Sequence, residues 1–282
     1  MKRVPAVVGA LLSASLLLAH AGSAQVALDR YDLAKPSSRF ELPRGLREIS
    51  GLAVTKDGRL FGHDDETGTL HEIDPRTGRV VKSFSLGERK PVKGDFEGLA
   101  IVEDRFYLTT SDGDVFVGRE GRDGAGVPYD LVRTGLGEGC EIEGLASEPS
   151  TGTLLFACKT ARAPEVGKTV TVFRWSLATG RLASPPMIQV PRPELTPGSR
   201  DRHFHPSDLA RDPVTGHLVL VAAKEGGLLE ITAAGTVVAV RRLDPARHRQ
   251  AEGIAFLPDG TLAVADEGGT RNGTLTLYRR RP

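Results

Sequence analysis

Residues 48–54 read EISGLAV, residues 95–101 read DFEGLAI and residues 141–147 read EIEGLAS. Aligned on the Leu-Ala pair, two weaker copies fall into line, HPSDLAR (205–211) and QAEGIAF (250–256). Gly51, Gly98 and Gly144 are 47 and 46 residues apart; Asp208, in the fourth glycine slot, follows 64 later and Gly253 a further 45. The chain is therefore five units of about 46 residues, with one insertion of some 18. A fixed period of this size marks supersecondary units that bury their faces only by stacking on neighbours.

Each copy runs into a turn: TKDG (55–58), VEDR (102–105), EPSTG (148–152), DPVTG (212–216) and LPDG (257–260). Asp-Gly and Thr-Gly pairs are hairpin chemistry, because glycine accepts the positive φ that tight turns need. The stretches that follow, such as HLVLVAAK and TLAVADE, are strand-like and show no helical period. Third strands are expected at 69–74, 114–119, 169–175, 228–232 and 274–280, and fourth strands at 80–86, 129–134, 187–192 and 237–243. The fifth unit stops after three strands, while a spare strand-like piece, RFELP (39–43), precedes the first. The expected fold is all-β: a five-bladed propeller with four antiparallel strands per blade. The N-terminal strand is expected to close the ring and remove the exposed edges. PRPELTPGSRDRHF (191–204) reads as a Pro-rich loop.

Composition agrees with one such domain. The 282 residues are 39% hydrophobic and 26% charged, enough for a sizeable core. The formal net charge of +1 argues against a nucleic-acid surface. Residues 1–24 read as a secretory signal peptide: Lys2 and Arg3, an apolar stretch, then small-residue sites ending at Ala21 and Ala24. No later segment is long and apolar enough to span a membrane. The expected organisation is signal peptide 1–24, linker 25–37 and one propeller domain 38–282. A monomer in the periplasm or secreted is expected. Cys140 and Cys158 flank a hairpin turned at PSTG (149–152), which sets residue 142 opposite 158 and Cys140 on the diagonal. A disulfide is expected, with two buried free thiols as the alternative.

In a propeller the first strand of every blade lines the channel. The residue before the glycine slot is Ser50, Glu97, Glu143, Ser207 and Glu252; two earlier stand Glu48, Asp95, Glu141, His205 and Gln250. Period-2 alternation predicts that both rows share one face and form a largely acidic double ring. Such a ring must be relieved by protonation, by basic partners such as Lys159, Lys224 and His63, or by a cation. Carboxylate and hydroxyl oxygens suit Ca²⁺ best. The alternative is that the acids cap inner strands by accepting backbone N–H groups of the next blade. Asp65, Asp112 and Asp266, near the ends of second strands, are expected around the same mouth, with turn chemistry as their alternative role. His203 and His205 could reach it from their loop or serve packing.

This ordered set (ISGLAV, the GHDDE loop, DFEGLAI, EIEGLA with CK after the next strand, AKE, and QAEGIAF with its DE) resembles the SdiA-regulated family of exported bacterial proteins. The likeness spans roughly residues 38–282. It implies a five-bladed, NHL-like propeller with a bound calcium ion and no established activity. By position it implies Glu97, Glu143 and Glu252 as metal ligands; in the fourth blade either Asp208 substitutes or the ring is open. A weaker likeness to phytase-like esterase propellers, and to gluconolactonase-type ones, implies instead a calcium-dependent phosphoesterase or lactonase. No G-x-S-x-G nucleophile motif is present. The leading expectation is thus an exported calcium-binding propeller with an unidentified small-molecule or cell-envelope ligand.

Overall fold

The computed structural model describes residues 26–164, 166–191 and 204–282. The expected signal peptide, His203 and all but the ends of the Pro-rich stretch lie outside the described residues.

After β1 (Ser38–Glu41) the first blade is β2 (Ile49–Val54), β3 (Leu60–Asp64), β4 (Thr69–Asp74) and β5 (Arg79–Leu86). The second unit supplies β6 (Phe96–Val102), β7 (Arg105–Thr110), β8 (Asp114–Arg119), β9 (Gly126–Val127) and β10 (Tyr129–Arg133). The third blade is β11 (Cys140–Glu148), β12 (Thr153–Ala161), β13 (Thr169–Ser176) and β14 (Arg181–Pro191). The fourth is β15 (Asp208–Arg211), β16 (Leu218–Ala222), β17 (Gly227–Ile231) and β18 (Val237–Arg242). The fifth is β19 (Ala251–Phe256), β20 (Leu262–Asp266) and β21 (Thr274–Tyr278). These form five sheets, so the molecule is a five-bladed, mostly antiparallel β-propeller.

Two expectations are corrected. Four antiparallel strands per blade fails in the first blade, which takes a fifth strand: β9 pairs parallel with β5. Closure by the N-terminal strand also fails as stated. β1 pairs with β21, from Ser38↔Leu277 to Glu41↔Thr274, and is the outer strand of the fifth blade. Yet no sheet closes on itself by hydrogen bonds, and each of the five keeps two edges. The physical reason is the radial stacking of blades, which meet face to face and not edge to edge.

The ring is instead held by side chains. Both faces of a blade are covered, so its central strands are apolar on both faces. In β16, Leu218, Leu220 and Ala222 pack with Leu155 and Val172 of the third blade, while Val219 and Val221 pack with Ile254 and Val264 of the fifth. There is one such core at every blade interface. Phe61 and Phe84 of the first blade meet Phe106 of the second edge to face, at 4.9 and 5.2 Å between centroids. Leu52 and Leu60 of the first blade pack on Ala263 and Leu275 of the fifth, which completes the circle. The segment before β1 is part of this packing: Leu28 and Tyr31 are buried among residues of the fourth and fifth blades. Buried Glu230 accepts the N–H groups of Ala27 (2.8 Å) and Leu28 (2.9 Å). Cys140 and Cys158 form a disulfide, with Ile142 opposite Cys158 in the ladder. No helix among the described residues is long and apolar enough to cross a membrane.

Candidate functional site

The inner strands share one irregularity. Ladder register shifts occur between Ile49 and Gly51, Phe96 and Gly98, Ile142 and Leu145, and Ala251 and Gly253. The residue left out of the ladder is Ser50, Glu97 or Glu252, and in the third blade Glu143 with Gly144. In the fourth blade the strand starts only at Asp208, just after Ser207. An extra residue in one strand bends it and re-aims a side chain. Here it turns the residue before the glycine slot toward the axis.

The glycines make the bulges close-packed. A Cβ on Gly98 would lie 2.6 Å from the Leu145 nitrogen, and one on Gly144 (φ 95°) 2.6 Å from Asp208 Cα. Asp208 fills the slot that glycine holds in the other blades, and it is fully buried. Its two carboxylate oxygens accept the N–H groups of Leu209 and Ile254, both at 2.8 Å, and the N–H groups of Leu52 and Leu145 also bond to it. Burial raises its pKa well above the ordinary value, against those four donors. It is the axial plug, gathering inner-strand edges from four blades.

On one side of this plug is a polar cavity of about 240 Å³. Glu48, Ser50, Asp65, Glu97, Glu143, Lys159, Gln250, Glu252 and Glu267 line it. Ser50 Oγ donates to Glu97 at 2.8 Å, Lys159 is ion-paired with Glu143, and Ser207 donates to Glu252. Burial pushes Glu97 up to about 9, with the neighbouring Glu143 adding to the rise. Burial likewise lifts Glu143 to about 8 while Lys159 pulls the other way, and it lifts Glu252. Lys159 loses basicity to burial but regains more from Glu143, Glu252 and Glu97, so its pKa ends above the ordinary value. Asp65 rises to about 6, through burial and then Glu48, and its Oδ1 is buried without a partner among the described residues. On the other side of the plug is an apolar well of about 350 Å³, lined by Leu52, Leu99, Leu145, Leu209, Ile254 and the alanines that follow them.

The double ring is only half realised. Glu97, Glu143 and Glu252 converge, and Glu48, Asp65 and Lys159 join them. The outer row splits: Glu48 and Gln250 reach the cavity, whereas Asp95, Glu141 and His205 do not. Asp95 is exposed and takes the Ser111 hydroxyl at 2.5 Å. Glu141 lies outside the cavity lining, and Lys224 is exposed and outside it too. His205 is pinned to Glu225, by its ring at 2.7 Å and its backbone N–H at 2.9 Å. Asp112 meets Arg162 at 2.9 Å. His63 is fully buried against Gly51, with Nδ1 on the Asp64 carbonyl; burial lowers its pKa to about 4. Asp266 is buried, and His248 bridges it (2.8 Å) to the Tyr278 hydroxyl (2.6 Å), a brace inside the fifth blade. Glu267 was missed: it directly follows Asp266, and the bend of the loop brings Glu267 to the mouth instead of Asp266.

The calcium expectation is overturned. Among the described residues no group of three or more His, Cys, Asp or Glu side chains could hold a metal ion. Each proposed ligand already has a partner, Asp208 on both its oxygens: Glu97 Oε2 has Ser50, Glu143 Oε1 has Lys159, Glu252 has Ser207 and Asp208 has backbone N–H groups. The calcium-binding reading of Glu97, Glu143, Glu252 and Asp208 falls, and with it the calcium-dependent hydrolase.

No family model matches the chain. Among solved structures, the ring is similar to a Myxococcus xanthus glutaminyl cyclase, with a TM-score of 0.60 at 17% identity, over 88% of this chain and 97% of that one. It is also similar to the PQQ-bound aldose sugar dehydrogenase of Streptomyces coelicolor, with a TM-score of 0.58 at 15% identity, over 87% and 99% of the two chains. At such identities the likeness shows the fold alone. One curated relative, the small ribosomal subunit biogenesis GTPase RsgA of Saccharophagus degradans, is 36% identical over 89 residues. That stretch is 32% of this chain and spans 25% of that protein's length.

Proposed function

We propose that the protein is an exported binding propeller of the SdiA-regulated type, whose polar mouth takes a small ligand through an amine. The observation that carries this is the charge count of the cavity. Glu97, Glu143 and Glu252 crowd around one ammonium, Lys159, which is paired with Glu143; burial raises all three carboxyls, and Glu97, at about 9, holds a proton at neutral pH. An incoming ammonium would replace such a proton and restore a carboxylate. The Cys140–Cys158 disulfide and the leader-like opening support an oxidising compartment outside the cytoplasm. The test is calorimetry of ethanolamine binding at pH 7 in two buffers of different ionisation enthalpy. Binding with release of about one proton is expected from the linkage; binding without release, or no binding, sinks the reading.

A second reading rests on Glu97, whose raised pKa keeps it a proton donor at neutral pH inside a ligand-sized cavity. With the fold likeness to a glutaminyl cyclase, this suggests proton transfer on an amine-bearing substrate. In a cyclisation the amine of an amino-terminal glutaminyl residue would attack its side-chain carbonyl and expel ammonia. Ammonia released from a glutaminyl peptide by the protein, but not by Glu97→Gln, would support it. No release leaves binding alone.

A further inference from the structure

Next to the mouth is a second depression of a different character. It has a volume of about 790 Å³, and Arg39, Arg44, Arg47 and Arg271 all line it, with Phe40 and Asn272 between them. Its one carboxylate, Glu41, is engaged by the Asn272 side chain at 2.6 Å. Among the described residues, Arg39, Arg44 and Arg271 form no ion pair. Arg39 reaches the Arg247 carbonyl (3.2 Å) and the Thr274 hydroxyl (3.4 Å). Arg47 touches Glu48 at 3.1 Å, yet its Nε is buried without a partner among the described residues. Arg39, Arg44 and Arg271 are exposed, whereas the more buried Arg280 and Arg174 have carboxylate partners in Asp212 and Glu148. With Arg47 paired to Glu48 and Glu41 bonded to an amide, the guanidinium groups of Arg39, Arg44 and Arg271 leave a positive charge around the hollow that an oxyanion would neutralise. Guanidinium is the group that holds carboxylate and phosphoryl oxygens two at a time.

The groove and the mouth share a wall. Arg47 lines the groove and Glu48, the next residue, lines the mouth, so their Cα atoms are about 3.8 Å apart. The loop after β20 repeats the pattern, with Glu267 in the mouth and Arg271 in the groove. It is held to this wall where the Gly268 N–H meets the Arg47 carbonyl at 2.7 Å. An acid-lined cavity and an arginine-lined one are therefore neighbours, with nearby residues of two loops lining both.

We propose that they are two halves of one site for a zwitterion, whose oxyanion lies among Arg39, Arg44, Arg47 and Arg271 while its amine enters the mouth. This deepens the amine-binding reading and rests on it only for the second half. A ligand held at both ends gains from the second contact being intramolecular. The test uses three probes on the purified full chain: ethanolamine, inorganic phosphate and phosphoethanolamine. Phosphoethanolamine is expected to bind at least about tenfold more tightly than ethanolamine. The double variant Arg44→Gln/Arg271→Gln should remove that gain, and Arg44→Lys/Arg271→Lys should recover part of it. β-Alanine in place of phosphoethanolamine tells carboxylate from phosphoryl preference. Melting curves check that the variants are folded. Phosphoethanolamine binding no tighter than ethanolamine, or a gain that survives the double glutamine change, overturns the proposal. If ethanolamine does not bind at all, the mouth reading fails separately. The groove then stands only if inorganic phosphate binds the native protein and is lost in the glutamine variant.

Discussion

Single residues carry the main decisions here. An acid before a glycine is ambiguous by itself, and three such acids take partners that no local pattern shows. Glu97 is the clearest to test. In the unfolded chain it ionises near 4.5, whereas burial lifts it to about 9 in the folded protein. Between those values the folded state holds a proton that the unfolded state has lost, so stability falls as pH rises through that window. Glu97→Gln removes the titration and keeps an acceptor for Ser50. The variant should gain stability over the native protein from pH 5 to pH 9, seen as a growing difference in urea midpoints. A difference that stays flat with pH would show that Glu97 does not titrate this way. Asp208 illustrates the opposite outcome. The capping role weighed for the ring acids, accepting N–H groups of neighbouring blades, is performed by the one acid that stands in a glycine slot.

At the scale of elements, the repeated glycine decides how closely inner strands approach. A methyl group on Gly98 would meet backbone atoms of Gly144 and Leu145 at 2.6 to 2.8 Å, and backbone cannot swing aside. Gly98→Ala should therefore cost at least about 1–3 kcal/mol, the usual penalty of overpacking, read from denaturant midpoints. An unchanged midpoint would mean that the second and third blades have slack at the axis. Most strands were legible in the sequence, because alternating apolar residues between Asp-Gly or Thr-Gly turns admit few other readings. Two features were not. β9 is two residues long, too short for any periodicity, and is created by its parallel partner β5. β14 begins at Arg181 and not near Met187, although Pro185 and Pro186 argue against a strand. They are tolerated because they fall in the register gap between Trp175↔Leu182 and Phe173↔Met187, on an outer strand.

For the whole molecule, stability depends on the meeting of the two chain ends. Without β1 the last blade would have three strands, and the row from Thr274 to Leu277 would keep β20 but lose its partner on the outer edge. Deleting residues 1–43 would also remove the buried Leu28 and Leu42, each worth about 1.5–3 kcal/mol. It would strand Glu230 without its two backbone donors. Against a typical total of about 5–15 kcal/mol, the truncated chain is expected to melt far lower and to associate through the bare β21 edge. Melting curves with light scattering would show it. A truncated protein that stays monomeric with an unshifted melting point would mean that the ring does not need its N-terminal strand.

The sequence by itself determined the number of blades, the inner strands and the hairpin that carries the disulfide. Each of these rests on local periodicity and turn chemistry, repeated along the chain. Only the tertiary structure decided what the acids do. Their partners, Ser50 for Glu97, Lys159 for Glu143 and the N–H groups that converge on Asp208, come from other strands or other blades. The bulges that re-aim the acids exist only once strands pair. A carboxylate's role is set by what surrounds it at a few ångströms, and in a ring those neighbours lie dozens of residues away.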